Sequence, residues 1–101
     1  MENEEAYKEI LNAIIASKVV GVGKLAIKAV KDVGGVIVDS DGNVLQFTAE
    51  PVDVIWKITQ RYEEISGPIS TSLIKSVMVG FWYKYPNLKL PEELSEKLSQ
   101  K

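Results

Sequence analysis

The amino-acid sequence predicts an α+β fold, with helices around a small antiparallel sheet built on a hairpin at residues 36–47. Three observations carry that prediction. Residues 34–48, GGVIVDSDGNVLQFT, place two short β-branched runs either side of an Asp-Gly turn, a strong local hairpin signal. Segments 4–17, 24–33 and 51–66 repeat apolar residues at helical spacing. The 101 residues hold no internal repeat, low-complexity stretch or linker, so a single domain is expected.

Each element has its own reason. Asn3 is the expected N-cap of the first helix, with Glu4 and Glu5 at the positive end of its dipole. Tyr7, Ile10, Leu11, Ile14 and Ile15 then form one stripe, giving a helix over about residues 4–17. Gly21 and Gly23 interrupt the pattern and residues 24–33 restart it. Leu25, Ala26, Ile27, Ala29, Val30 and Val33 make a wide apolar arc, which calls for more than one packing neighbour. Gly34 and Gly35 end this second helix.

Val36, Ile37 and Val38 read as a central strand with apolar residues on both faces, which puts Ile37 in the core. Residues 39–43 turn the chain and residues 44–48 return. A two-stranded hairpin is marginal alone in water. Either a third strand of this chain or the hairpin of a second copy is therefore expected to complete the sheet.

Pro51 suits the first turn of a third helix. Its expected buried face is Val52, Ile55, Trp56, Thr59, Tyr62 and Ile65, with Ile58 beside them. Asp53 and Lys57 are spaced to pair on the opposite face, and Gly67-Pro68 is the stop. Residues 69–85 admit two readings. Ile69, Leu73, Val77, Phe81 and Tyr85 recur every four residues, joined by Ile74, Met78 and Trp82, which favours a helix. Residues 77–83, VMVGFWY, have the composition of a strand. Pro86 closes this element, and Pro91, Glu92 and Glu93 open a short last helix in which Leu94 and Leu98 can dock.

Composition excludes several activities. With 46% hydrophobic and 26% charged residues the chain can bury a core. A net charge of −2 and an isoelectric point near 5.1 give no pull toward nucleic acid or anionic membranes, so neither is expected as a partner. There is no cysteine and no histidine. Disulfides, thiolate metal sites, thiol catalysis and the commonest general base are therefore absent. The start, MENEEAYKEI, is acidic and lacks the order of a signal peptide. Lys18, Lys24, Lys28 and Lys75 break every apolar run short of the roughly 18 residues a membrane span needs. A soluble, cytoplasmic protein is the expectation.

Four constellations bear on chemistry. Gly21-Val22-Gly23-Lys24 stands before a helix, but a phosphate loop needs glycine where Lys18 stands and Ser or Thr where Leu25 stands. It reads as a break between helices. Asp39, Asp41, Asn43 and Glu50 have the spacing of a calcium loop, yet Val44 occupies the place of its required glycine. A solvated hairpin turn is the plainer reading, and these four are weak candidates for a metal. Lys24, Lys28 and Lys31 form a basic strip, with Lys18 near it, able to receive a phosphate or an acidic partner. Finally, Phe81, Trp82, Tyr83 and Tyr85 are the densest aromatic patch. Three consecutive large aromatics cannot all point inward, so part of this patch is expected at a surface or an interface and the rest in the core. The carboxylates Asp39, Asp41, Glu50 and Asp53, and the serines Ser66, Ser70, Ser72 and Ser76, have no histidine to complete a catalytic set.

The succession of a helix, GGVIVDSDGNVLQ and an amphipathic helix, over residues 24–66, resembles the roadblock family of dynein light-chain-like proteins. The resemblance implies a homodimer with a shared sheet, a scaffolding or regulatory role often beside small GTPases, and three further strands before a final helix. It implies no active-site residues. The expected function is that of a small non-enzymatic homodimeric interaction module without a cofactor. The alternative is a small-ligand or calcium-like binding domain using the turn at 39–43 or the helix start at 21–24.

Overall fold

Residues 3–91 are described by a computed structural model of the chain; the expected helix carrying Leu94 and Leu98 lies outside them. The elements are α1 (Glu4–Val22), α2 (Leu25–Val33), β1 (Val36–Val38), β2 (Val44–Phe47), α3 (Pro51–Ser66) and α4 (Pro68–Lys84). This is the α+β arrangement the hairpin and the helical stripes predict. Residues 69–84 resolve as helix, including those where the roadblock resemblance implies strands, and Tyr85 caps it.

The first helix outruns its stripe by a turn. It passes through Gly21 and stops at Gly23, whose N–H still reaches the Val19 carbonyl. An interior glycine costs only about 1 kcal/mol against alanine, which the flanking valines and the packing below them offset. Asn3 stands at the N-cap position, but its side chain makes no capping bond.

α1 is the centre of the molecule and touches α2, α3, α4 and β2. Ile10, Leu11 and Ile14 are fully buried on it, and they meet Ile55, Ile58 and Tyr62 of α3 and Ile74 and Met78 of α4 in one core. Each such side chain contributes about 1.5–3 kcal/mol by leaving water. Two buried hydroxyls are tied down: Tyr62 donates to the Ala26 carbonyl at 2.9 Å and Thr59 to the Ile55 carbonyl at 2.8 Å. At the other end Tyr7 donates to the Lys89 carbonyl, which fastens the segment after α4 to the start of α1.

The sheet has two strands, paired antiparallel as Val36 with Phe47, Ile37 with Gln46 and Val38 with Val44, so that Leu45 bulges out of register. No third strand joins it among the described residues. Its outer edge is instead capped by side chains of α1. The Val44 N–H donates to Asn12 Oδ1 at 2.8 Å and the Phe47 N–H to Glu4 Oε2 at 3.1 Å. One face is packed and the other open: Val36, Val44 and Phe47 point inward, the bulge setting the last two three residues apart, while Ile37 is 47% exposed. That corrects the reading of Ile37 as a core residue.

Two further faces rotate from expectation. On α3, Val54, Ile55, Ile58, Thr59 and Tyr62 are buried, whereas Val52, Trp56 and Ile65 are only half-buried. Asp53 and Lys57 form no ion pair; Arg61 bonds Glu64 at 3.1 Å and approaches Asp32 at 3.8 Å. On α4, the inward line is Ser70, Ile74 and Met78, and Ile69 and Leu73 turn to solvent.

Candidate functional site

The acidic turn at 39–43 is built by its own side chain. Asp39 Oδ1 accepts the N–H groups of Asp41 and Asn43, both at 2.9 Å, and Oδ2 accepts Asn43 Nδ2 at 3.0 Å. These bonds, the Asn43 N–H first, hold its carboxyl below the usual carboxylate range. Gly42 sits at φ +88°, and a Cβ there would lie 3.0 Å from the Ile27 side chain. The turn is thus pressed onto α2 through the one residue that combines a left-handed backbone with no side chain. Asp39 spends both oxygens on the turn, and among the described residues no three acidic side chains gather around a metal position. Of the four residues with calcium-like spacing, Asp39 and Asn43 lock the hairpin turn side chain to side chain and Asp41 joins through its N–H, while Glu50 lies outside it at the start of α3.

The same close approach makes a hollow. Lys24, Lys28 and Lys31 line one side, Ser40 of the turn the other, and Ile27 the floor, with a volume of about 290 Å³. The strip expected from the sequence is therefore gathered against the turn. Lys28 bonds Asp32 at 3.1 Å, and Asp32 also faces Arg61, so part of the positive charge is already answered. The start of α2 offers little to an anion. The N–H groups of Ala26, Ile27 and Lys28 are taken by the Gly23 and Lys24 carbonyls.

Lys18 does not join the strip. It is buried at 4% exposure with its ammonium 5.7 Å from the centre of the Tyr62 ring. Burial pushes its pKa down, and the ring face supplies a partial substitute for water. Sequence reading missed this because a lysine between apolar residues looks like a helix breaking surface. Its i+4 step from Ile14 is the signal that places it inward.

The aromatic patch divides. Phe81 and Trp82 pack half-buried against the core, and Tyr85 donates to Glu9 Oε1 at 2.6 Å beside the Lys84–Glu9 pair, also at 2.6 Å. Tyr83 alone is left outside, at 84% exposure. It lies on a larger feature that the sequence stripe concealed. Ile69, Leu73, Val79 and Tyr83 are all exposed large hydrophobics of α4, and Ser72, Ser76 and Gly80 lie exposed between them. At about 100° per residue these seven positions occupy one arc of about 120°, and it holds no charge. No protein-family model, curated protein or solved structure matches the chain.

Proposed function

We propose that this protein is a small non-enzymatic interaction module of the cytoplasm, whose first partner is a second copy of itself. The observation that carries the reading is the outer face of α4. A helix with apolar residues on two faces calls for packing partners on both. Here α1 and α3 cover one side of α4 and the other stays open. Exposed apolar arcs of this kind mark protein interfaces. A chain without histidine or cysteine supports the non-enzymatic part of the reading. Light scattering coupled to gel filtration, over a hundredfold range of loading concentration, tests it. A mass that climbs above one chain as concentration rises is expected. A constant single-chain mass contradicts it.

One observation favours a second reading. The hollow between Lys24, Lys28, Lys31 and Ser40 has the lining of a small-anion site, and Lys24 and Lys31 form no ion pair among the described residues. A ligand that binds only the native state must raise its melting temperature. Pyrophosphate at millimolar concentration should do so, and calcium should not, if the hollow rather than the acidic turn is the site.

A further inference from the structure

The seven exposed residues of the uncharged arc of α4 are arranged symmetrically along the helix. Ile69 and Tyr83 stand seven positions either side of Ser76, Leu73 and Val79 stand three, and Ser72 and Gly80 stand four. Large residues mirror large ones and small residues mirror small ones. Resting on the self-association reading above, we infer that α4 pairs antiparallel with α4 of a second copy, about a two-fold axis at Ser76.

Under that operation Ile69 of one copy comes level with Tyr83 of the other near the midline of the contact, while Leu73 and Val79 line its two opposite flanks. A two-fold contact uses one patch twice, so the same face of α4 serves both copies. The small residues along the middle let the helix axes approach toward the lower end of the usual 8–10 Å. Ser76 can enter an apolar contact because its hydroxyl already donates to the Ser72 carbonyl at 3.2 Å. The face carries no charge to be desolvated. Lys75 and Lys84 lie outside the arc, and Lys84 is held by Glu9.

The occupant follows from the area and from the rest of the chain. Four large side chains, exposed by 38–84%, offer on the order of 500 Å² per copy, hence about 1,000 Å² in a pair. That lies below the roughly 1,200–2,000 Å² of stable complexes and in the class of weak ones, so the dimer is expected only at high protein concentration. Residues 92–101, EELSEKLSQK, have only Leu94 and Leu98 as large apolar side chains, half of what the face presents. A lipid surface would call for several lysines beside the apolar arc and a polar opposite face, whereas only Lys75 and Lys84 border this arc and Lys84 is paired with Glu9. The opposite face of α4 is instead the core-facing line of Ile74 and Met78.

The cysteine-free chain makes the test direct. Ser76→Cys should form a disulfide-linked dimer under mild oxidation at concentrations above the dissociation constant, because the axis brings the two copies of that residue together. Ile69→Cys alone should not, since antiparallel pairing separates its two copies by about 21 Å at 1.5 Å per residue. A mixture of Ile69→Cys and Tyr83→Cys should cross-link. Leu73→Glu, at an exposed position, should keep the circular dichroism of the parent and lose the dimer.

Failures separate. If the parent chain dimerises but Ser76→Cys does not cross-link, or Ile69→Cys cross-links with itself, self-association stands and this geometry is overturned. If the parent stays a monomer throughout, both are overturned. A Ser76→Cys thiol shielded from maleimide in the dilute monomer would place residues 92–101 on the face and overturn the pairing.

Discussion

Lys18 costs the fold stability at neutral pH. Its pKa is lowered from 10.5 by burial, so between the folded and unfolded values the unfolded chain binds more protons. Stability contributed at this position therefore rises with pH through that window. Lys18→Met keeps the stem and removes the charge, and it should stabilise the protein at pH 7. Urea titrations should show that gain shrinking toward pH 10. Tyr62 has the opposite sign, because burial raises it and its contribution falls as the unfolded phenol ionises above about pH 10. A gain that is flat across pH 7–10 would mean that Lys18 is not desolvated.

Asp39 works the other way round. Its carboxyl is depressed below 3.8 by the turn's donors, so its stabilisation is present above the unfolded value and lost as pH falls through the folded one. Asp39→Ala should lower the urea midpoint at pH 7 and change it far less near pH 2. An equal loss at both pH values would assign the effect to something other than the charged carboxylate.

The hairpin lives by alternation at the scale of the element. Ile37→Asp places a charge on the open face and should cost less than about 1 kcal/mol. Val36→Asp places it in the core and should cost several. Equal melting shifts for the two would contradict a one-sided sheet. The α+β class, the hairpin and the extents of α2 and α3 were legible because periodicity, Pro51, Gly34 and the Asp-Gly turn all act locally. Facial assignment was not legible where apolar residues are in surplus. On α4 both Ile69 and Ile74 satisfied the helical stripe, and only the position of α1 and α3 decides that Ile74 goes in and Ile69 stays out. The same holds for Trp56, half-buried beside a buried Ile55, and for the sheet edge, which Asn12 and Glu4 cap from more than thirty residues away. The lysine strip was legible on its helix; its partner Ser40 was not, since the hairpin meets α2 only in three dimensions.

At the scale of the whole molecule, one helix face governs behaviour. A dimer that forms only from folded chains gains stability by mass action, so the melting temperature should rise with protein concentration. Leu73→Glu should abolish that dependence while leaving the dilute-limit melting temperature near that of the parent, because Leu73 is 47% exposed in the single chain. The most direct test of the central claim is sedimentation equilibrium of the parent and Leu73→Glu from low micromolar to several hundred micromolar. The account predicts that the parent moves from 11.2 kDa toward twice that mass while the variant stays at the mass of one chain. A parent fixed at one chain, or a variant that dimerises equally well, would contradict it.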